Sequence, residues 1–180
     1  DDDAVRRGRP SCHIAFDEPT ALLAGNALST MAFEMIAENK TLPKASTIKM
    51  IQVLARASGV EGVLSGQMMD LAQDTPLETI YHYKTSSLIK ASVHLGLLTA
   101  NRSDPAWLRF GETLGLAFQL KDDLMDADKD AGLNALTYWG PEAALEQYRK
   151  WCHVLELFLE EHAADSSVAK LVASHFFEDE

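Results

Sequence analysis

The sequence predicts an all-α protein built as a helical bundle. Apolar residues recur at three- and four-residue steps along most of the 180-residue chain. No segment shows sustained two-residue alternation enriched in Val, Ile and Thr, so no strands are predicted. Three helix starts are marked, at Thr75-Pro76-Leu77-Glu78, at Asp104-Pro105 and at Gly140-Pro141-Glu142. Amphipathic helices bury their apolar faces against one another, and a bundle is the expected result.

The first three helices are predicted from apolar residues that share a helical face. These are Leu28, Met31 and Met35 in the first helix, Ile48, Ile51 and Leu54 in the second, and Val60, Leu64, Met68 and Leu71 in the third. A capping box with Thr75 as N-cap predicts a fourth helix that starts at Pro76. Asp104 is the predicted N-cap of the fifth, and Pro141 opens the sixth. With a last short helix, the predicted ranges are 19–39, 45–58, 60–71, 76–99, 105–127, 141–162 and 166–177.

Composition narrows the class of protein. The chain carries 16 basic and 27 acidic residues, a formal net charge of −11, and this acidity argues against nucleic-acid binding. Two cysteines, Cys12 and Cys152, are too few for a disulfide framework and indicate a reducing, cytoplasmic compartment. No uninterrupted apolar run approaches about 18 residues, so we expect no membrane span.

The strongest chemical signal is Asp122-Asp123-Leu124-Met125-Asp126. On a helix, residues three and four apart share a face, so Asp122 and Asp126 stack one turn apart, with Gln119 one turn earlier. The preceding segment 115–120 is nearly all apolar, which places this helix in a core. A solvated acidic face is the plain alternative, but the buried helix favours a site in which a divalent cation offsets the carboxylate repulsion.

A second cluster lies at the start of the chain, where Asp1-Asp2-Asp3 is followed by Arg6-Arg7-Gly8-Arg9-Pro10. These charges could neutralise one another as a surface patch. The alternative is a metal ligand beside an anion clamp, because arginine binds phosphate with a bidentate fork.

Two weaker signals lie between these clusters. Lys84 and Thr85 fall inside the fourth predicted helix, where a lysine is usually solvated but here has few polar neighbours in sequence. Gln67 and Asp70 are three residues apart and share a face in the third helix. Gly66 beside them costs a helix about 1 kcal/mol relative to alanine, so it is expected to permit the close approach of another helix or a ligand.

Taken together, five ordered motifs resemble the trans-isoprenyl diphosphate synthases, and most closely their bacterial farnesyl diphosphate synthase (geranyltranstransferase) group. The motifs are RRGRPSCH with the acids before it, FDEPTALLAGNAL, SGQMMDL, KT and FQLKDDLMD. The resemblance runs from Asp1 to about Asp126. It implies the isoprenoid-synthase helical bundle, a single polyprenyl synthetase domain over residues 1–180, and the absence of roughly the first third of a family member.

The resemblance also implies a role for each matching residue. The implied metal ligands, for about three Mg²⁺ ions, are Asp1, Asp122, Asp123 and Asp126. The residues implied to surround the allylic diphosphate and the developing cation, and to be catalytic, are Arg6, Lys84, Thr85 and Gln119. Those implied to complete substrate binding are Arg7 for isopentenyl diphosphate and Gln67 and Asp70 of the family's GGQxxD motif, in which Ser65 replaces the first glycine.

The implied activity is Mg²⁺-assisted condensation of isopentenyl diphosphate with dimethylallyl or geranyl diphosphate to farnesyl diphosphate, by a homodimer. Two alternatives remain open at this stage. One is a synthase of the same fold with a longer product, such as geranylgeranyl diphosphate, since product length depends on residues upstream of the first acidic motif. The other is a non-catalytic partner or degraded paralogue that keeps the bundle.

Overall fold

Ten α-helices, one π-helical turn and two short strands make up the described part of the chain. In this computed structural model that part comprises residues 3–6, 8–125, 134–162 and 166–176. The elements are β1 (Val5–Arg6), β2 (Arg9–Pro10), α1 (Cys12–Ala15), α2 (Glu18–Ala37), α3 (Lys44–Ser58), α4 (Val63–Ala72), α5 (Leu77–Tyr81), the π turn (His82–Ser86), α6 (Ser87–Thr99), α7 (Pro105–Met125), α8 (Ala135–Trp139), α9 (Pro141–His162) and α10 (Ser167–Phe176). The all-α prediction is confirmed.

Two of the three predicted helix-start signals coincide with the start of a helix. The backbone N–H of Ala106 donates to Asp104 Oδ1 at 3.0 Å, as expected of an N-cap, and α9 begins at Pro141. Asp17 caps α2 in the same way by accepting from the Thr20 N–H at 2.6 Å. This hydrogen bond lowers the pKa of the Asp17 carboxyl.

The expectation that the chain has no strands is wrong at one place. Val5 pairs with Pro10 and Arg6 with Arg9 in an antiparallel hairpin, and Gly8 takes φ +72° in the turn between them. This left-handed conformation costs glycine little, which is why the turn forms here. Strands of two residues are too short to show alternation in a sequence.

The region predicted as one helix over 76–99 also differs. Thr75 is not its N-cap: α5 begins at Leu77 without a side-chain cap, and the Thr75 hydroxyl donates to Asp74 Oδ1 instead. The helix widens into the π turn at His82–Ser86 before continuing as α6. The third predicted helix begins at Val63 rather than at residue 60, because residues 59–62 form turns.

Two short helices, α1 and α8, were not predicted. Helix α8 starts from a capping box in which Asn134 Oδ1 accepts from the Thr137 N–H and the Asn134 N–H donates to the Thr137 hydroxyl. Elements of four or five residues span little more than one turn, so they carry no readable periodicity.

The chain divides into two compact units, and the first ends at Ile51. Its longest helix, α2, buries none of its residues within this chain and exposes several large apolar side chains. These are Leu22, Leu23, Leu28, Met31 and Met35. Among the described helices, α2 is also the one whose length and composition would suffice to cross a membrane, with a mean hydropathy of 1.2. The expectation of no membrane span therefore stays a prediction.

The second unit, from Gln52 onward, is organised around α7. One core cluster joins α7 to α9 and α10 through Phe110, Leu155 and Val172. The other joins α7 to α5 and α8 through Leu77, Leu120 and Ala135. Because α7 lies between both clusters, it holds the polar residues near its C-terminal end in fixed positions relative to α5 and the π turn.

Candidate active site

Five polar side chains from α4, the π turn and α7 form two hydrogen-bonded groups in the second unit, which meet at the neighbouring residues Lys84 and Thr85. We call the two groups together the polar network. Its members are Asp70, Lys84, Thr85, Gln119 and Asp123. All five were singled out in the sequence, three of them for roles near a diphosphate. The structure brings them together from segments up to about fifty residues apart in the chain.

Lys84 is held by a residue from another helix. Its Nζ lies 2.7 Å from Asp70 Oδ2, and about a quarter of each side chain is exposed. The sequence predicts few polar neighbours for Lys84 along its own helix, and the structure adds Asp70 from α4. Gln67 is half-buried one turn before Asp70 on α4.

The hydrogen bonds from Thr85 to Asp123 form a chain in which each side chain donates to the next. The Thr85 hydroxyl donates to Gln119 Oε1 at 2.6 Å, so the other end of the Gln119 amide is a donor. That Nε2 donates to Asp123 Oδ1 at 3.2 Å, one helical turn further along α7. The π turn is therefore linked to the acidic end of α7 through a single glutamine.

Asp123 accepts on both of its oxygens. Its Oδ2 receives the Tyr81 hydroxyl and the backbone N–H of Ala135, the latter at 2.8 Å. With the bond from Gln119, three of roughly four acceptor positions of this carboxylate are used. Burial and the charge of Asp123 raise the pKa of Tyr81, so this phenol stays protonated and remains a donor. Sequence analysis assigns no role to Tyr81, and its position three residues before Lys84 is the one signal that could have indicated it.

Two glycines allow the π turn to sit close to both neighbouring helices. A Cβ on Gly66 of α4 would lie 2.1 Å from the backbone nitrogen of Lys84. A Cβ on Gly115 of α7 would lie 2.4 Å from Ser86 Cα. Separations this short are impossible for real atoms, so any larger residue would push the helices apart. The prediction that Gly66 permits close approach of a helix is confirmed.

The π turn itself decides where Lys84 and Thr85 point. An α-helix with one inserted residue widens locally, and such bulges occur often at functional sites. The turn is closed on the His82 carbonyl, which accepts from both the backbone N–H and the hydroxyl of Ser87, the latter at 2.9 Å. The 3.6-residue periodicity predicts a continuous helix here and does not indicate this widening.

The carboxylates proposed for metal binding lie partly outside the described residues. Asp122 and Asp123 are adjacent and half-buried near the end of α7. Asp1, Asp2, Arg7 and Asp126 fall outside the described ranges. Among the residues that are described, no group of three His, Cys, Asp or Glu side chains is placed to hold an ion. The oxygen donors of α7 are nevertheless of the kind that Mg²⁺ prefers.

Arg6 belongs to the first unit and is largely exposed. Its guanidinium lies 3.6 Å from Asp3 Oδ2. Exposed pairs of this kind contribute at most about 1 kcal/mol, so the arrangement leaves Arg6 easily recruited by another anion. The Arg6–Asp3 pair is equally consistent with the alternative that these charges neutralise one another as a surface patch.

Comparison with known proteins identifies a family and several relatives of this chain. The polyprenyl synthetase family model matches residues 1–133. The chain is 39% identical to a farnesyl diphosphate synthase of Haemophilus influenzae, with 73% of this chain and 48% of that protein covered. It is 42% identical to the farnesyl diphosphate synthase of Escherichia coli, with 72% and 48% covered. It is also 36% identical to a geranylgeranyl diphosphate synthase of Cyanophora paradoxa, with 82% and 57% covered. The chain spans about half the length of the curated relatives it matches.

Solved structures share the fold. A geranyltransferase of Helicobacter pylori superposes with a TM-score of 0.83 at 27% identity, over 98% of this chain and 66% of that one. A structure of a geranyltransferase from the same organism, described as complexed with magnesium and isoprenyl diphosphate, gives a TM-score of 0.80 at 27% identity, with 96% and 64% covered. The isoprenoid-synthase architecture predicted from the motifs is confirmed.

Proposed function

The chain belongs to the polyprenyl synthetase family, and on that premise we propose that the protein is a trans-prenyltransferase. It joins isopentenyl diphosphate to dimethylallyl or geranyl diphosphate and makes farnesyl diphosphate. The observation that carries the proposal is the polar network. Thr85 lies on a short hydrogen-bonded path through Gln119 to Asp123 of α7, and the neighbouring Lys84 is paired with Asp70 of α4. A purely structural bundle has no need to hold a lysine and adjacent aspartates at one end of its central helix.

The chemistry proposed for this site begins at the allylic substrate. The bond from its C1 to the diphosphate oxygen breaks, and the electron pair leaves with the diphosphate. Diphosphate departs only when its growing charge is offset, and Lys84 together with Arg6 supplies positive charge for this. The hydroxyl of Thr85 and the amide of Gln119 are assigned the roles of orienting the departing group and facing the developing cation.

The second half of the reaction needs no protein base. The double bond of isopentenyl diphosphate attacks the cationic C1 and forms the new carbon–carbon bond. The attack leaves a positive charge on the inner carbon of the former double bond. A proton then leaves the carbon beside it for an oxygen of the released diphosphate, which restores a double bond. The apolar walls of the bundle keep water away from the cation, which water would otherwise quench.

The carboxylates fit a magnesium site by their chemistry. Asp122, Asp123, Asp126 and Asp1 are the proposed ligands for about three Mg²⁺ ions. When bound, Mg²⁺ would neutralise diphosphate charge and act as a template. Asp123 has about one acceptor position left beyond its three hydrogen bonds, so it contributes at most one oxygen contact.

The remaining assignments concern substrates and assembly. Arg6 is proposed to bind the allylic diphosphate and Arg7 the isopentenyl diphosphate. Gln67 and Asp70 of α4 are proposed to complete substrate binding, and Asp70 also pairs with Lys84. The exposed apolar side chains of α2 support a homodimer, because a face of this size is costly to leave in water. Both cysteines are free thiols, which suits the proposed cytoplasmic location.

A longer product is the second candidate, and one observation favours it. The chain resembles both farnesyl and geranylgeranyl synthases at similar identity, so the family alone does not select fifteen carbons. A non-catalytic partner of the same fold is the remaining alternative.

The decisive experiment measures diphosphate release by the longest available form of the protein. Geranyl and isopentenyl diphosphates are supplied with Mg²⁺ or with a chelator, and the extracted product is sized. Asp122→Asn should abolish release, whereas Glu160→Gln, which neutralises an exposed carboxylate on α9, should not. A longer product would favour the second candidate over farnesyl diphosphate. Mg²⁺-independent or absent release would contradict the proposal.

A further inference from the structure

Glu112 on α7 contacts the π turn at both of its ends. Its carboxylate Oε1 lies 2.9 Å from Nδ1 of His82, the first residue of the turn. Its backbone carbonyl accepts from the hydroxyl of Ser86, the last residue, at 2.8 Å. The other carboxylate oxygen, Oε2, accepts from Lys90 Nζ at 2.6 Å, one turn into α6.

Glu112 and its partners are partly or fully withdrawn from solvent. The side chain of Glu112 is 29% exposed, and those of His82 and Lys90 are 39% and 37% exposed. Ser86 is fully buried. An isolated Glu–Lys pair at such a position contributes little, but here the same glutamate also fixes an imidazole and, through its carbonyl, a buried hydroxyl.

A π turn needs such external support. π-Helices are rare and occur mostly as single turns within α-helices, so we expect this turn to depend on neighbours that hold it. Lys84 and Thr85 lie between the two points at which Glu112 contacts the turn, and their own hydrogen bonds go to Asp70 and Gln119. Relaxation of the turn to regular α-helix would rotate both side chains relative to α7, by about 100° for each residue of register.

We propose that Glu112 is a positioning residue: by bridging His82 and Lys90 it holds the π turn in the register that presents Lys84 and Thr85 to the departing diphosphate. This role rests on the proposed prenyl transfer. It assigns to Glu112 no contact with either substrate, and its effect passes entirely through the backbone of residues 82–86.

Three substitutions of Glu112 test whether the reach of its side chain or its negative charge holds the turn. Glu112→Gln keeps the length, so its oxygen can accept from Lys90 while its amide N–H donates to the imidazole of His82. Glu112→Asp keeps the charge but is one methylene, about 1.5 Å, shorter and cannot reach both partners. Glu112→Ala removes the bridge. The matched control is Glu146→Ala, which breaks an exposed Glu–Lys pair of 2.8 Å on α9.

Two readouts are taken on each folded variant. Amide hydrogen exchange of residues 83–87 measures the π turn whether or not the protein turns over. Steady-state kinetics with geranyl and isopentenyl diphosphates measure its consequence. We expect the Ala and Asp variants to exchange at least about tenfold faster in this segment. Their kcat should fall about ten- to hundredfold, as for a misplaced catalytic group, with the KM for isopentenyl diphosphate changed by less than about twofold. The Gln variant and the control should resemble the wild type.

Each outcome decides a separate question. Unchanged exchange in the Ala variant overturns the bridge, whatever the kinetics show. Faster exchange with unchanged kcat overturns the positioning role. If the Ala variant does not fold, the contrast between Gln and Asp decides in its place. Loss in Asp but not in Gln supports the bridge, whereas loss in Gln with Asp unaffected would mean that charge rather than reach matters and would overturn it. Absent turnover in the wild type would refute the proposed function, and exchange alone would then decide whether Glu112 holds the turn.

Discussion

Replacing Gly66 by alanine would force α4 away from the π turn. The added Cβ would meet three backbone atoms, at 2.1 Å from Lys84 N, 2.4 Å from Lys84 Cα and 2.5 Å from the carbonyl carbon of Tyr83. Because all three belong to the main chain, no side chain can rotate to make room. Ordinary contact would require a movement of about 1.4 Å or more.

The free energy of unfolding should fall as a result. Overpacking typically costs 1–3 kcal/mol, and backbone clashes belong at or beyond the upper end of that range. Alanine recovers about 1 kcal/mol because it is the better helix former. We expect a net destabilisation of about 2 kcal/mol, which for a chain of this size lowers the Tm by about 4–8 °C. The same movement would lengthen the contact between Lys84 and Asp70.

Gly96→Ala is the matched control. Gly96 lies inside α6, and a Cβ there would meet nothing within 4 Å. The same substitution should therefore stabilise the protein by about 0.5–1 kcal/mol. Thermal and denaturant unfolding of both variants, followed by circular dichroism, measures the difference. A Gly66→Ala variant as stable as the wild type would refute the packing argument, since α4 could then not lie where the structure places it.

Three further predictions concern the second unit and the cysteines. Tyr81→Phe removes a donor from Asp123 and should lower the free energy of unfolding by about 1–2 kcal/mol; an unchanged Tm would show that the bond contributes nothing in solution. Leu155→Ala empties a fully buried position between α7 and α9 and should cost about 2–5 kcal/mol, measured by denaturant unfolding; a cost below 1 kcal/mol would contradict the packing described. Burial raises the pKa of the Cys152 thiol, whereas Cys12 is exposed, so iodoacetamide at about pH 8 should alkylate Cys12 first. Equal rates by mass spectrometry would contradict this.

The helices could be predicted because their signals are local. Apolar periodicity and N-caps such as Asp104 depend on residues within one or two turns, so they can be read without knowing the fold. The bond between Gln119 and Asp123 follows from the same rule, because residues four apart on a helix are neighbours. The five ordered motifs likewise needed no coordinates to indicate the family.

The sequence missed what depends on distant segments. Nothing near Lys84 in the chain indicates that Asp70 will pair with it, or that Tyr81 will donate to Asp123. The hairpin at Val5–Pro10 escaped prediction because each strand has only two residues.

The sequence by itself determined the helical class, most helix boundaries and the residue types of the candidate site. The tertiary structure alone decided the π turn, the partners of Lys84 and Asp123, and the role of Gly66. The reason is physical: periodicity and capping depend on residues close together in the chain, whereas the π turn packs against two other helices, whose close approach Gly66 and Gly115 permit. Those contacts form only once the chain has folded, and with them the direction in which Lys84 and Thr85 point.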